Sequence, residues 1–564
     1  MLRNKRSANL WGLGAIFLAS TITPFAVAQI AAPETVESAP IATDAFAIGG
    51  IGPAEGALPT SLWHNSDPQT LEYLLGYMPT RPISPSIGKA MRRTLLSSGT
   101  KPSGASPSLG GHKLLALARA GFVEEARDVA SLATAGRSDL TVAEADATIS
   151  LLNGDSEAAC RRGSSLNGGR EALFWVRLRA FCYARAGELD AFDLTMNLLR
   201  ERGALAGGDE ALLLSVAGAE PKVIPPVTTA IQYAAAKSAG LALDAGAIAN
   251  AEGGVLSAIL NDDEADTGLR IEAAEQAVAM GAVEIASLKR LFDGITFEVA
   301  ELGTAVDVAK ARPQDITLDA LLYQSITAMS APEFIRDKAQ RISFALGRAK
   351  SFHRAYSLSL LYADDIVALE GVLVTPEEAS NFALARMAVG DSVGAGRWLS
   401  AMIGANESVA ALPEPLGLDF IDRVNLLSHL DPQTAARIAR GAGVSLLTDE
   451  PTHVSSVSAH EDPSVTARIL VAAFDAVAGE KPGQASLAAL AASAGKARAN
   501  GEVEMVVVGE GLNAAGMPEL RRLHEFERAW AATFSSTGMT DEASSGGASQ
   551  DEAGMVPRVK PRAN

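Results

Sequence analysis

Three glycines spaced 33 residues apart, Gly121, Gly154 and Gly187, constrain this chain more than any other feature of it. Each closes a run of apolar residues at helical spacing, as Leu114, Leu115, Leu117 and Ala118 do ahead of Gly121. A second run opens after each with an acid close by: Glu124 and Glu125 after Gly121, Asp155 and Glu157 after Gly154, Glu188 and Asp190 after Gly187. The glycine supplies a left-handed end to the first helix. The acids sit at the positive N-terminus of the second. Ala126 and Ala159, five residues past their glycines, let the two helices approach closely, and Gly281 with Ala286 and Gly390 with Ala395 repeat the spacing. Such hairpins cannot bury an apolar face alone, but a stack of them can. The pattern predicts an all-α fold, an α-solenoid of helix–turn–helix units.

These units resemble tetratricopeptide-like repeats, helix–turn–helix modules of about 34 residues. The match covers about 110–200, with looser copies near 270–295 and 380–402. The aromatic and proline positions of the family pattern are mostly missing, and Phe192 stands where a small residue is expected after Gly187. The resemblance implies a concave face able to hold peptides or folded partners.

The two cysteines fall within the clearest repeats. Cys160 lies on the second helix of one hairpin, and Cys182 on the first helix of the next. Those helices should run antiparallel from the Gly168-Gly169 region, so a disulfide would staple adjacent repeats if the compartment is oxidising. Closing a loop of about 20 residues would contribute ~3 kcal/mol. Two buried free thiols are the alternative.

The ends point to such a compartment. A basic start containing Arg3, Lys5 and Arg6 precedes an apolar run over 10–27, which closes on Ala26-Val27-Ala28 before Gln29. The pattern reads as a secretory signal over 1–28, with cleavage expected between Ala28 and Gln29. An uncleaved anchor is the alternative, since the run is nearly long enough to span a bilayer. Residues 29–60, rich in Ala, Pro, Gly and acids, read as a disordered linker, and 535–564 as a disordered tail with a basic tip at Arg558, Lys560 and Arg562. Single cores rarely exceed ~300 residues, so the body divides into helical repeat regions at 61–270 and 271–534. No long apolar stretch follows residue 28, which predicts no membrane span once the signal is removed. The Ala/Gly-rich composition suits a bacterial periplasm.

The formal charge is −18, and losing the signal's three basic residues makes it −21. Nucleic acid, which demands basic patches, is thereby disfavoured as a partner. Hydrophobic residues are 48% of the chain but aromatics only 5%, so the core must be built from Ala, Leu and Val.

Motifs for chemistry are weak. Val506-Val507-Val508-Gly509-Glu510-Gly511 imitates a dinucleotide fingerprint without the βαβ unit it requires; a helix ended by Gly509 and Gly511 is the simpler reading. Gly88-Lys89 and Gly495-Lys496 lack the upstream glycine of a phosphate loop. His453 and His460, beside Glu461 and Asp462, lie in a Ser/Thr/Pro-rich loop, and Asp262-Asp263-Glu264 with Asp266 lacks calcium-loop spacing. Glu407-Ser408 echoes a pair found in soluble lytic transglycosylases, with no catalytic segment following. The reading therefore names no catalytic, cofactor-binding or metal residues. It expects a non-enzymatic periplasmic scaffold binding envelope proteins during motility, secretion, polysaccharide or peptidoglycan assembly. The alternative is a cell-wall glycan-binding or glycan-processing accessory with a groove lined by Trp175, Tyr183 or Trp398.

Overall fold

The computed structural model describes residues 43–205, 207–409, 418–442, 463–494 and 502–545. Among them there are twenty-eight α-helices, two short 3-10 helices and no strand. The glycine-spaced hairpins come early: α1 (Pro68–Leu75) and α2 (Pro85–Leu96) lead into α3 (Ser108–Ala120) with α4 (Val123–Leu132), α5 (Leu140–Leu152) with α6 (Ser156–Ser164), and α7 (Leu173–Ala186) with α8 (Leu189–Glu201). Shorter helices follow: α9 (Asp209–Val216), α10 (Ala230–Ser238), α11 (Ala245–Ile248) and α12 (Gly253–Leu260). The middle of the chain forms α13 (Thr267–Ala279), α14 (Ile285–Asp293), α15 (Val299–Gly303), α16 (Ala305–Ala311), α17 (Leu318–Thr327), α18 (Ile335–Gly347), α19 (Phe352–Leu361) and α20 (Ala363–Ala368). The rest comprises α21 (Pro376–Ala388), α22 (Ser392–Val409), α23 (Leu418–Leu430), α24 (Pro432–Gly441), α25 (Pro463–Ala478), α26 (Pro482–Ala492), α27 (Glu502–Ala514) and α28 (Pro518–Ser545). No described helix is long and apolar enough to cross a membrane.

The five turn glycines behave alike. Gly121, Gly154, Gly187, Gly281 and Gly390 have φ of 112°, 78°, 74°, 68° and 78°. Each uses the same pair of backbone bonds, seen at the first as Gly121 N–H to Ala118 O and Phe122 N–H to Leu117 O, which satisfy carbonyls the helix end leaves open. Asp155 then caps α6 by accepting from Ala158 N at 2.8 Å. Ala126, Ala159 and Ala395 are wholly buried. Ala286 is exposed instead, because α14 starts only at Ile285 and Leu288 takes the buried position. Cys160 and Cys182 form a disulfide between α6 and α7, with Cα atoms 5.8 Å apart.

A solenoid whose repeats touch only their neighbours is not the whole arrangement. The first helices of the early hairpins are covered by the chain itself: α10 packs against α5 and α7, and α12 against α3. Glycine permits the closest of these contacts, since a Cβ on Gly253 would lie 2.1 Å from Ala120 O, and one on Gly254 2.3 Å from Ala118 O. The concave face that the repeat pattern implies is thus largely filled.

The last helices also return to the first. α26 packs on α1 and α2, and α28 on α2 and α23. Of two apolar clusters, one joins residues 45–280 to residues 469–520. The other spans 260–442 and takes in Phe526 and Trp530 of α28. Trp530 sits within ring distance of Phe352, Tyr356, Phe526 and Phe534. α28 therefore enters both clusters, through Leu520 and through Trp530.

Three boundaries differ from the sequence reading. The linker expected over 29–60 is packed from residue 43 onward: Phe46 is fully buried, and Lys113 donates to Phe46 O at 3.0 Å and Ile48 O at 2.6 Å. One aromatic side chain and two carbonyls aimed at a buried lysine outweigh the segment's polar composition. The tail expected from 535 is helical over its first part, because α28 continues to Ser545, and the rest of it lies outside the described residues. α27 runs through Gly509 and Gly511 to Ala514, because Gly511 faces α26, where a Cβ would meet Ala489 Cβ at 2.6 Å.

The α2–α28 seam is polar and buried. Glu527 Oε2 accepts from Ser86 N at 3.0 Å, and Ser84 Oγ lies 2.8 Å from His524 Nδ1. Burial raises the Glu527 carboxyl to about 7, against the opposing backbone bond from Ser86 and the nearby Lys89. Burial, helped by Arg528, lowers the His524 imidazole to about 3. Both groups are therefore neutral in the folded protein at mildly acidic pH. Glu527's contribution is complete below its unfolded value of 4.5 and is lost as pH rises through 7. His524's is complete above 6.5 and is lost as pH falls toward 3. The seam is strongest between those limits. In chemical denaturation at about pH 5 and pH 8, Glu527→Gln should gain about 3 kcal/mol on wild type across the interval. Parallel pH curves would contradict this.

Candidate functional site

The densest buried chemistry lies where α13, α17, α18 and α19 meet. Asp319 of α17 is fully buried. It accepts from Arg354 Nε at 2.6 Å, and Arg348 Nε lies 3.5 Å from its other oxygen. Arg348 also donates to Ala309 O at 2.7 Å. Glu275 of α13 is equally buried, and neither of its carboxylate oxygens has a hydrogen-bond partner. Burial pushes its carboxyl well above the usual range; the Asp319 charge adds to this and Arg354 opposes it. One turn earlier, Glu272 pairs with His353 Nε2 at 3.2 Å and accepts from Gln276 Nε2 at 2.8 Å. The hydrogen bond from His353 holds the Glu272 carboxyl low. Glu272, Glu275 and His353 each offer a ligand atom within 4.8 Å of the others.

A second polar cleft, of about 360 Å³, opens between α3, α5, α7 and the segment leading into α10. Arg119 pairs with Glu252 at 2.6 Å, and Arg177 with Asp209 at 3.2 Å. Gln232 Nε2 donates to Asp209 at 2.7 Å. Burial raises the Glu144 carboxyl, with Arg119 opposing. The charges answer one another within the cleft.

The third feature is apolar. On α25, Ala467, Val471, Phe474 and Ala478 follow one another along a single helical face and are all exposed. Val471 is 68% and Phe474 60% exposed, with Val477 beside them at 40%. The opposite face, Ile469, Ala472, Ala473 and Ala476, is buried. A helix apolar on both sides has a core face and a second face that prefers not to meet water.

The residues singled out by sequence fall as follows. Trp175 and Trp398 are core residues, 4% and 3% exposed; half-buried Tyr183 shares a small pocket beside the disulfide with Trp175, while Trp398 belongs to the other apolar cluster. Asp262 takes bonds from Tyr233 at 3.0 Å and Lys237 at 2.7 Å, Asp263 pairs with Arg270, and Asp266 caps α13 through Leu269 N. The cleavage pair Ala28 and Gln29, and His453 and His460, lie outside the described residues. The reading passed over Glu272, Glu275 and His353. The one available signal was two glutamates a helical turn apart in a helix otherwise rich in alanine.

Compared with protein-family models, curated proteins and solved structures, the chain matches none.

Asp319→Ala leaves two guanidiniums without their buried counter-charge. It should lower the unfolding free energy by about 3–5 kcal/mol in denaturant titration at neutral pH. A loss below about 1 kcal/mol, the scale of an exposed pair, would show that water already reaches these groups.

Proposed function

We propose that this chain is a non-enzymatic, tetratricopeptide-like helical scaffold of the bacterial cell envelope, holding a protein partner in envelope assembly. The observation that carries this reading is the exposed apolar face of α25. Apolar faces of this kind on folded proteins mark interaction surfaces. The partner is a protein presenting an apolar helix with a basic rim, because the chain is strongly acidic, at −18. Export to the periplasm is supported by the basic-then-apolar start with Ala28 before Gln29. It is supported too by the Cys160–Cys182 disulfide, a bond favoured in oxidising compartments. The filled inner face moves the expected docking surface from the concave side of the repeats to the outside of α25. The glycan alternative has weaker support, since Trp175 and Trp398 are almost wholly buried and only Trp175 and Tyr183 share a pocket.

The test is crosslinking in living cells with a C-terminally tagged, exported copy, compared with a Val471→Asp/Phe474→Asp variant. Both positions are exposed, so the variant should keep its helical circular dichroism. One envelope protein should be recovered with wild type and reduced at least about tenfold with the variant, the scale of losing a hot-spot contact. Equal recovery from both, or glycan fragments in place of protein, would overturn the reading.

A further inference from the structure

We infer that Glu272, Glu275 and His353 form a binding site for a divalent transition-metal cation, zinc by preference, tying α13 to α19. The ligand atoms belong to two helices packed on each other, and all lie within 4.8 Å of one another. In a bound site with metal–ligand distances near 2.0–2.1 Å, ligand atoms stand roughly 3.3 Å apart, so no pair of side chains needs to close in by more than about 1.5 Å. Glu272 and His353 have the freedom to do so, with side chains 20% and 31% exposed. They also give an ion a route in from solvent.

Glu275 is the member that points to a cation. It is fully buried, and both its oxygens lack a partner. Buried carboxylates are costly unless hydrogen-bonded or paired. The surrounding charges leave room for a positive ion. Three carboxylates, Glu272, Glu275 and Asp319, face two guanidiniums, Arg348 and Arg354, and both guanidiniums lie on Asp319. The two glutamates are left with His353, whose Nε2 already lies 3.2 Å from Glu272 Oε1. A donor set of one imidazole and two carboxylates suits zinc better than calcium or magnesium, which favour all-oxygen shells. Three protein ligands leave a fourth position for water.

The location gives the ion a structural consequence. α13 contributes to both apolar clusters: Ala273 and Ala277 face the first, Ile271 and Ala274 the second. His353 belongs to α19, whose Tyr356 and Leu358 lie in the second. An ion here would lock the shared helix to one side of the junction.

The test uses the purified full chain, stripped with chelator and titrated with zinc chloride by calorimetry, with thermal unfolding followed in parallel. Wild type should take up one zinc per chain with a raised melting temperature. Glu275→Gln should abolish both effects. His353→Ala should weaken binding at least about 100-fold, beyond the 10–100-fold cost of losing an outer partner. If Glu275→Gln fails to fold, His353→Ala, at a part-exposed position, decides the matter alone. No zinc uptake by wild type, or uptake unchanged in His353→Ala, would overturn the site; in the second case His453 and His460 are the next ligands to examine.

Discussion

The contact on which the rest of the structure depends is the seating of α2 among distant parts of the chain. A Cβ on Gly88 would lie 1.8 Å from Met280 O, and one on Gly281 2.5 Å from Pro85 O, so α2 meets the α13–α14 turn backbone to backbone. Its other sides meet α26, through Thr94 Oγ1 and Ser486 Oγ at 2.6 Å, and α28, through Ser86 and Glu527. One helix near the start is thus held by the middle and the end of the chain. In a simple solenoid each unit contacts only its neighbours and stability is a sum of local terms. Here the two ends of the array share a core.

That closure changes what the fold offers a partner. α10 and α12 pack on the first helices of the early hairpins, and in the remaining cleft both guanidiniums are paired, Arg119 with Glu252 and Arg177 with Asp209. Among the described residues, α25 carries an exposed apolar face, with Val471, Phe474 and Val477 turned outward. α25 belongs to the returning segment, so a partner docked there would bear on the helices that complete the first core. The glutamate–histidine set lies on the other shared element, α13. The proposed ion site thus sits on a helix that both apolar clusters share, while the proposed docking face sits on α25, which packs against α26 and α27.

How much of this was legible follows from how local each signal is. The hairpin glycines were readable because a left-handed helix end needs Gly whatever surrounds it, and the acids after it need only the next helix's N-terminus. Ala286 shows the limit: the same spacing recurs, but a longer turn starts α14 late and turns the alanine outward. Gly511 read as a breaker, yet it serves a helix contact, which depends on which helix lies opposite. Phe46 looked like part of a linker because its burial comes from residues such as Trp63, 4.9 Å away ring to ring, and not from its neighbours in sequence. The closure through α28, and the meeting of Glu275 with His353, depend on pairings across long separations that no periodicity records.

Native-state hydrogen exchange across a denaturant series tests the closed array most directly. If α2 and α28 belong to one core, their slowest amides should merge into a single opening, with one free energy and one denaturant dependence, as cooperative units do. If α28 exchanges through a lower-energy opening while α2 stays fully protected, the end of the chain is an appendage, and the account of a closed array is wrong.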